Sequence, residues 1–485
     1  MFKLKLLYGA GAALWLLALI GFYQFVRLNP WYWLFGAIYI VLSLYYFANY
    51  LTNLFWTPFD EQRHLELVKK YNDVLVPDSY PTIDIFLPVC GEPINVIKNT
   101  WIGVSDLSYP SDKIKVYVGD DKGDIEVKKL ADSFGFNYLC RPDKGRLKKA
   151  GNIEYLFNNS DSEYYLVFDA DFRPSKDFLL NTVPYLQDKK VGILQTPQAF
   201  QSSTGIEYGA SYLQYDFYNI IQVARDNFNA CICVGSNAIY RREAIAKAGL
   251  GLVDHGEDVH TGVQVQNSNY LVKYLPLDLA YGRSPDSIKA LIKQHNRWCS
   301  SSTGMFFSRK VLKQSNLNWK QKLMYHIGFL YYACQIFNFL LPLQLFVVIF
   351  LHFDSINIAN ALWFYPYIIW SMLILPASRN RMWSIWVWVA SITLVYTHTV
   401  TFIGRIFGKS ATWVPTGAVN KRDNLFRVIK ILNMGYVTLL LGLLTTAVYF
   451  YGFEVFNPVK LSVTFWVLFN IFMHSMFLIL LNLER

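Results

Sequence analysis

The stretch "SEYYLVFDADF", Ser162 to Phe172, decides how the soluble part of this chain folds. An unbroken apolar run that is rich in aromatic and β-branched residues predicts a strand buried on both faces of a sheet. Two carboxylates one residue apart, Asp169 and Asp171, follow the run directly. The sequence therefore predicts a core strand that ends in paired acidic side chains.

Two earlier stretches have the same character. "TIDIFLPV" (Thr82 to Val89) and "KIKVYVGDD" (Lys113 to Asp121) are typical of buried parallel strands, and "EVKKLADSFG" (Glu126 to Gly135) is typical of a helix that follows one of them. We therefore expect an α/β domain. In an open α/β sheet, ligands bind in the crevice beyond the carboxyl ends of the strands.

The residues that follow these three strands supply the chemistry of that crevice. They are Cys90, Glu92, Asp120, Asp121, Asp169 and Asp171. Mg²⁺ is typically held by one or two carboxylates plus substrate phosphates, so a nucleotide diphosphate would complete the shell around Asp169 and Asp171. A lone DxD triplet is a weak indication of a metal site, but this one follows an apolar strand, and Asp120 and Asp121 end another predicted strand.

Three further stretches carry candidate site residues. "KKAGN" (Lys148 to Asn152) offers cations to phosphate oxygens, or else a solvated helix face. "DHGEDVHTG" (Asp254 to Gly262) places two carboxylates at a helix start, where one could accept a proton from a hydroxyl or simply complement the helix dipole. "LIKQHNRWCSSSTG" (Leu291 to Gly304) places an arginine and a tryptophan just before long apolar runs, a pairing that is also common at membrane interfaces.

Composition indicates a membrane protein with a large soluble part. The 485 residues are 53% hydrophobic and 17% aromatic, and charged residues crowd between Asp60 and Lys322. The net charge of +10 comes partly from basic residues beside apolar runs, which the positive-inside rule explains without nucleic acid. The six cysteines have no paired zinc spacing, so we expect reduced thiols in a cytoplasmic domain.

Residues 1–56 predict two N-terminal membrane spans. Leu7 to Val26 and Trp31 to Trp56 are uncharged over most of their length and would form a hairpin that turns near Asn29. We expect the first run to be a retained span rather than a cleaved signal peptide. Lys3 and Lys5 place the N-terminus in the cytoplasm, to which the domain at 57–310 returns.

Residues 311–485 predict the second membrane part. It contains five uncharged runs: Leu323 to Phe353, Ser355 to Ser378, Met382 to Gly404, Leu432 to Phe453 and Leu461 to Leu483. Five spans would place the basic residues between 405 and 430 outside, against the positive-inside rule. We therefore predict six spans in total, the last four at about 323–351, 357–377, 434–453 and 461–482, with an interfacial helix at about 383–404.

The ordered set DD, DxD, ED and QxxRW, from about Pro81 to Thr303, resembles the processive membrane-embedded glycosyltransferases of family 2. This group contains the cellulose, chitin, curdlan and hyaluronan synthases. The resemblance implies a GT-A-type (Rossmann-like) cytoplasmic domain inserted in an α-helical transmembrane domain of the plasma (inner) membrane.

The resemblance also assigns a donor site to this chain. It implies that UDP-sugar is bound by Cys90, Glu92, Asp120, Asp121, Lys149 and Arg297. It further implies that Asp169 and Asp171 coordinate Mg²⁺ or Mn²⁺ on the pyrophosphate.

The same resemblance assigns the acceptor side. Asp258 corresponds to the base that deprotonates the acceptor hydroxyl, with Glu257 beside it. Gln294 and Trp298 correspond to residues that border the acceptor. "CICVGSNAIYRREAI" (Cys231 to Ile245) resembles the CxGSNAxxRR segment of the cellulose-synthase-like branch, which adds Gly235 and Ser236 to the acceptor or translocation path.

A gating-like loop at 408–421 is the last element of the resemblance. "GKSATWVPTG" resembles the family's FxVTxK pattern and makes Trp413 and Thr416 its candidate residues. The match has departures, because Trp413 replaces Phe, Pro415 replaces Val and Ala418 replaces Lys. Gly256 likewise stands where the family usually has Thr before Glu-Asp.

The function implied by the resemblance is processive, inverting polymerisation of a UDP-sugar, first of all UDP-glucose, into a cellulose-like, β-1,3 or mixed-linkage β-glucan. The polymer would cross the membrane past aromatic residues of the third span: Phe329, Tyr331, Tyr332, Phe337 and Phe339. The partners implied are UDP-sugar, the growing polysaccharide, membrane lipids and an accessory export subunit, without nucleic acid. We also expect no cyclic di-GMP-sensing domain after the last span.

Three alternatives stay open on the sequence. One is a hyaluronan- or chitin-type synthase that uses UDP-GlcNAc, and another is a non-processive transferase that acts on a lipid carrier. The third is a transporter with a nucleotide-sensing domain, which would require ionisable residues as a substrate path. The five apolar runs contain no Asp, Glu, Lys or Arg, which argues against the transporter.

Overall fold

The computed structural model describes residues 2–74, 79–203, 205–307, 316–351, 365–378, 383–409 and 424–484. All the strands found in these described residues lie between positions 83 and 283. They are β1 Ile83–Val89, β2 Ile114–Asp120, β3 Asn137–Leu139, β4 Tyr164–Val167, β5 Arg173–Pro174, β6 Val191–Gln195, β7 Ala199–Gln201, β8 Ala238–Arg241, β9 Leu271–Tyr274 and β10 Ala280–Arg283.

The main sheet has seven strands in the order β3-β2-β1-β4-β8-β6-β9. The three strands predicted from sequence, β2, β1 and β4, are neighbours and run parallel, which confirms that prediction. The sheet as a whole is mixed, because β8 pairs antiparallel with both β4 and β6. The α/β prediction did not include this reversed strand. A smaller sheet in the order β5-β10-β7 flanks the main one.

The helices between residues 61 and 307 of the described chain pack on the sheets or on other helices. They are α3 Glu61–Val74, α4 Ile94–Ser105, α5 Ile125–Phe134, α6 Lys148–Asn158, α7 Phe178–Thr182, α8 Gly205–Asp216, α9 Gln222–Asp226, α10 Arg242–Ala248, α11 Glu257–Asn267 and α12 Ile288–Phe307. Helix α5 confirms the helix predicted for Glu126 to Gly135. Successive residues of β4 enter two different cores, since Leu166 packs with Trp101 whereas Tyr165 stacks between Phe86 and Tyr240. The strand is therefore buried on both faces, as its unbroken apolar run predicts.

The remaining helices belong to the apolar parts of the chain. They are α1 Phe2–Leu28, α2 Trp33–Asn53, α13 Trp319–Leu351, α14 Tyr365–Ala377, α15 Ile385–Ile406, α16 Asn424–Tyr451 and α17 Pro458–Leu483. Helices α1 and α2 pack along each other and are joined by a short 3₁₀ turn at Pro30–Tyr32. Among the described residues, five helices are long and apolar enough to cross a membrane by length and composition: α1, α2, α15, Asn424–Phe456 and Thr464–Leu483.

Helix α15 is the element that links the domain to the other helices. Of those five candidates it is the most enclosed, and it packs against α8, α12 and α13. Its buried side chains Val389, Ala390 and Leu394 share one apolar cluster with Leu291 and Ile292 of α12. The six-span arrangement and the interfacial position of residues 383–404 stay predictions.

Candidate active site

The carboxyl ends of β1, β2 and β4 open into a cavity of about 1950 Å³. The residues after these strands that line it include Cys90, Glu92, Asp121, Asp169 and Asp171. The same cavity is lined farther on by α12 and by side chains of α13, α14 and α17. The crevice predicted from the strand ends is therefore continuous with a space between the apolar helices.

Asp121 is held by an arginine that the sequence argument missed. Arg141 follows β3, and its Nε and Nη2 donate to the two carboxylate oxygens of Asp121 at 2.5 and 2.8 Å. The two side chains are 0% and 4% exposed. Arg141 also donates to the carbonyls of Arg146 and Lys148, at the start of α6. The pair thereby fixes "KKAGN" beside the end of β2. The sequence signal that could have indicated such a partner is the position of Asp121 at the end of a buried strand, because a buried carboxylate requires a charged partner.

Asp120 lies next to Asp121 but has a different environment. Its carboxylate accepts from the backbone N–H groups of Lys122 and Asp124 at 2.9 and 2.6 Å and from the Tyr138 hydroxyl at 2.9 Å. It is not among the residues that line the cavity. Asp120 thus closes the turn after β2, and the donor-binding role expected for it stays a prediction.

Cys90 and Glu92 are the residues of "PVCGEP" that reach the cavity. The backbone N–H of Cys90 donates to Oε2 of Glu92 at 2.6 Å, which folds the loop after β1 back on itself. Burial raises the pKa of the Cys90 thiol to about 11, with Asp121 adding to the effect, and burial also raises the pKa of Glu92. Cys90 therefore stays protonated at neutral pH.

Asp169 and Asp171 follow β4 as predicted, and Lys149 lies against Asp169. The Lys149 ammonium donates to Asp169 Oδ1 and, at 2.9 Å, to the carbonyl of Gly235. The Asp169 backbone N–H donates to Ser236 Oγ at 2.9 Å. Gly235 and Ser236 thus lie behind the acidic residues, and the acceptor role expected for these two residues stays a prediction.

The two carboxylates fit a divalent cation. Burial, together with the charge of Asp169, raises the pKa of Asp171 to about 6, which means that the surroundings of Asp171 lack enough positive charge for it to ionise easily. Mg²⁺ and Mn²⁺ are typically bound by one or two carboxylates together with the phosphates of a nucleotide. Asp169 and Asp171 provide such carboxylates, and the cavity beside them is wide enough for phosphates. In the described residues, no group of three or more His, Cys, Asp or Glu side chains forms a site independent of a substrate.

Glu257 and Asp258 begin α11 and face the same cavity. Burial, and then the charge of Glu257, raises the pKa of Asp258 to about 7. Burial alone would lower the pKa of Lys149, but Asp169, Glu257 and Asp258 together raise it above its ordinary value. Asp258 thus has the pKa that a general base requires at neutral pH.

Gly256, which departs from the family's threonine, is required by its surroundings. Its φ is +74°, and a Cβ there would collide with Oγ of Ser301 on α12. Ser301 therefore occupies the volume that a side chain at position 256 would need. The departure has a steric cause within this chain.

Gln294, Arg297 and Trp298 lie on α12 and line the cavity together with Asp258. Gln294 accepts from Nε2 of Gln214 on α8 at 3.1 Å. The ring of Trp298 meets His295 edge-on at 4.7 Å, and Nδ1 of His295 lies 3.2 Å from Nε2 of His398 on α15. The histidine pair was not foreseen, because its members are 103 positions apart in sequence.

The aromatic residues expected along the path are mostly at the cavity. Phe329, Tyr331, Tyr332 and Phe339 line it, whereas Phe337 is not among the lining residues and packs on the cluster of Leu42 and Tyr45. Other lining aromatics that the sequence argument missed are Tyr46, Tyr367, Trp370, Trp466 and Phe469. Trp413 and Thr416 of the gating-like loop lie outside the described residues.

Comparison with known proteins agrees with this architecture. Residues 164–402 match the family described as "Glycosyl transferase family group 2". Cellulose synthase 1 of Komagataeibacter xylinus is 32% identical over 257 residues, which is 51% of this chain and 16% of that protein. The cellulose synthase catalytic subunit (UDP-forming) of Pseudomonas fluorescens (strain SBW25) is 30% identical over 264 residues, 53% of this chain and 36% of that protein. The alignments thus cover between about a sixth and about a third of the length of these relatives.

Among solved structures, the mannosyltransferase PcManGT from Pyrobaculum calidifontis, in complex with GDP-Man and Mn²⁺, superposes with a TM-score of 0.56. The match has 18% identity and covers 78% of this chain and 100% of that chain. The fold is thus that of the GT-A glycosyltransferases. The family match agrees with this fold, and residues 164–402 carry the part of it that is described as glycosyl transferase family group 2.

The Asp121–Arg141 pair should dominate the stability of the donor side. Asp121→Asn leaves a buried guanidinium without its counter-charge, so we expect a loss of about 3–5 kcal/mol and a lower melting temperature of the purified protein. The control is Asp161→Asn, whose partner Lys115 is exposed, and it should leave the melting temperature unchanged. Equal melting temperatures for the two variants would contradict this assignment.

The Gly256–Ser301 contact gives a second test. Gly256→Ala should cost about 1–2 kcal/mol for the left-handed backbone, plus about 1–3 kcal/mol for the collision with Ser301. Gly135→Ala, at φ +70° with nothing within 4 Å of its Cβ, should cost only the backbone part. Adding Ser301→Ala to Gly256→Ala removes Oγ without placing a glycine inside α12, so it should return the melting temperature close to that of the Gly135 control, and no recovery would exclude the steric explanation.

Proposed function

We propose that this chain is a membrane-embedded, divalent-metal-dependent glycosyltransferase that polymerises a UDP-sugar, first of all UDP-glucose, into a β-glucan and moves the product across the membrane. The observation that carries the proposal is the continuity of one cavity from the strand-end carboxylates, past Gln294 and Trp298, to aromatic side chains between the apolar helices. The likeness of half the chain to cellulose synthases supports the β-glucan product. We place the protein in the plasma (inner) membrane, with the domain on the cytoplasmic side.

The donor would bind between β1, β2 and α6. Glu92, Asp121 and Lys149 line the cavity where the nucleotide would lie. Asp169 and Asp171 would hold Mg²⁺ or Mn²⁺, which supplies charge neutralisation at the diphosphate when it is bound. Lys149 and Arg297 add fixed positive charge where negative charge develops on the leaving group.

The acceptor would enter from the side of α12. Asp258 takes the proton of the acceptor hydroxyl as its oxygen forms a bond to the anomeric carbon, while the bond from that carbon to the phosphate oxygen breaks and UDP departs. A single displacement of this kind inverts the anomeric configuration. Trp298 offers a ring face to the terminal sugar, and Gln294 offers an amide to its hydroxyls. The new chain end then moves toward α13, α14 and α17, whose aromatic rings can stack on sugar rings.

Polymer synthesis is the direct test. Purified protein given UDP-[³H]glucose and Mg²⁺ should form polymer that a linkage-specific glucanase digests, and excess unlabelled UDP-GlcNAc should compete poorly. Strong competition and GlcNAc incorporation would instead identify a hyaluronan- or chitin-type synthase. A protein that binds UDP but forms no polymer from any UDP-sugar would contradict processive synthesis, and transfer of one sugar to a lipid would support the non-processive alternative.

The raised pKa of Asp258 predicts how the rate depends on pH. Only the ionised carboxylate accepts a proton, and its pKa is about 7, so the rate should be near its maximum above pH 8, about half of it at pH 7, and fall about tenfold per pH unit below pH 6. Asp258→Asn should abolish turnover at every pH and keep UDP binding. A wild-type rate that is flat from pH 5 to 8, or an active Asp258→Asn protein, would remove Asp258 as the base.

A further inference from the structure

The free backbone N–H groups at the N-terminus of α12 are bonded by one neighbouring residue and by one residue from a distant part of the chain. The first N–H groups of any α-helix lack partners inside the helix. Here Ser287 Oγ accepts from the N–H of Ala290 at 3.2 Å, which is ordinary local capping. The N–H groups of Ile288 and Lys289 donate to Oε1 and Oε2 of Glu484 at 2.6 and 3.2 Å. One carboxylate, 195 positions away from Lys289, therefore takes both remaining donors of this first turn.

Apolar packing supports the same junction. Glu484 directly follows α17, and Phe477 and Leu481 of α17 are fully buried in one cluster with Ile288 and Leu291 of α12. The side of α12 that faces away from the cavity thus rests on the end of α17. A carboxylate at a helix N-terminus also interacts favourably with the positive end of the helix dipole. The junction combines burial, two hydrogen bonds and charge.

The two joined helices face the same cavity. Gln294, the first residue of QxxRW, lies within two turns of the capped end of α12. Helix α17 contributes Trp466, Phe469, Asn470, Met473 and His474 to the cavity wall. A helix that borders the acceptor position is therefore fixed, at its start, to a helix that borders the path leading away from it.

We propose that Glu484 is a positioning residue for the acceptor: it holds α12 on α17, so that Gln294 and Trp298 stay aligned with the wall of the cavity beyond them. This inference rests on the proposed function. Glu484 does not line the cavity, and it acts through α12. Loss of the carboxylate should loosen the first turn of α12 and weaken retention of the growing chain, while the proposed donor residues on the strand ends and α6 keep their places and limit the effect on donor binding, to which α12 contributes Arg297.

Hydrogen exchange of the full-length protein tests the structural half of this inference. In Glu484→Ala, the amides of residues 288–291 should exchange on the order of 3- to 30-fold faster, which is the range that follows from loss of a helix cap. Glu484→Gln keeps one carbonyl acceptor and should be intermediate. The matched control is Glu454→Gln, an exposed glutamate before the start of α17, which removes the same charge and should leave this exchange unchanged.

Product analysis tests the functional half. Glu484→Ala should make polymer several-fold shorter than wild type. It should also release more UDP per sugar incorporated, because water takes the sugar as free hexose when the acceptor is misaligned, with the KM for UDP-sugar within twofold of wild type. Glu484→Gln should lie between them, and Glu454→Gln should match wild type. A general folding defect would instead raise the donor KM or lower the amount of active enzyme without changing polymer length.

Several results would overturn the inference. Unchanged exchange in Glu484→Ala means that the carboxylate does not fix α12, and faster exchange with unchanged polymer length and UDP stoichiometry means that it has no role in positioning the acceptor. Failure of the proposed function is a separate outcome, because the wild-type protein would then form no polymer. Failure of this inference requires an active wild type, whose amide exchange or polymer length the Glu484 variants would match.

Discussion

The burial of several carboxylates at one edge of a sheet is the constraint on which the rest of this structure depends. Transfer of an ionised carboxylate from water into a protein interior costs several kcal/mol unless cations or hydrogen bonds compensate it. Asp121 is compensated within the chain by Arg141, and Asp169 partly by Lys149. Asp171 and Asp258 are not fully compensated, which is why their pKa values are raised. The ion pair at Asp121 is thus complete within the chain. Positive charge is lacking at Asp171, where a metal cation would bind, and at Asp258, which would accept a proton.

The charged groups also determine how the residues that line the cavity are held in place. Arg141 bonds at once to Asp121 and to the loop that begins α6, so the strand end and "KKAGN" form one unit. Asp258 lies against Gly235, whose carbonyl accepts from Lys149, and Gly235 and Gly256 leave room only for the residues already present. Asp258, the proposed base, is therefore placed by close packing, whereas the proposed donor residues Asp121 and Lys149 are placed by ion pairing.

The sequence was sufficient for the parts of the fold that local pattern determines. Unbroken apolar runs predicted β1, β2 and β4, and the acidic residues after them did reach a common crevice because parallel strands end at the same edge. Contacts between distant segments could not be predicted. Nothing near Arg141 in sequence identifies Asp121 as its partner, and the antiparallel β8 depends on the path of the chain rather than on its own composition. The membrane arrangement of residues 383–404 is equally undetermined by pattern, since α15 is apolar enough to span and is nevertheless packed against the domain.

The position of α12 follows from these long-range contacts taken together. Along its length it bonds to Glu484 at its start, to Gln214 of α8 near Gln294, and to α15 through Asn296 and His295. These contacts come from different helices and lie on different turns, so α12 cannot rotate or slide without breaking several of them. A segment that could have been only an interfacial anchor, with its arginine and tryptophan between water and lipid, is thereby held in one orientation toward the cavity. Interfacial residues need no such restraint to anchor a helix, but residues that must meet a substrate do.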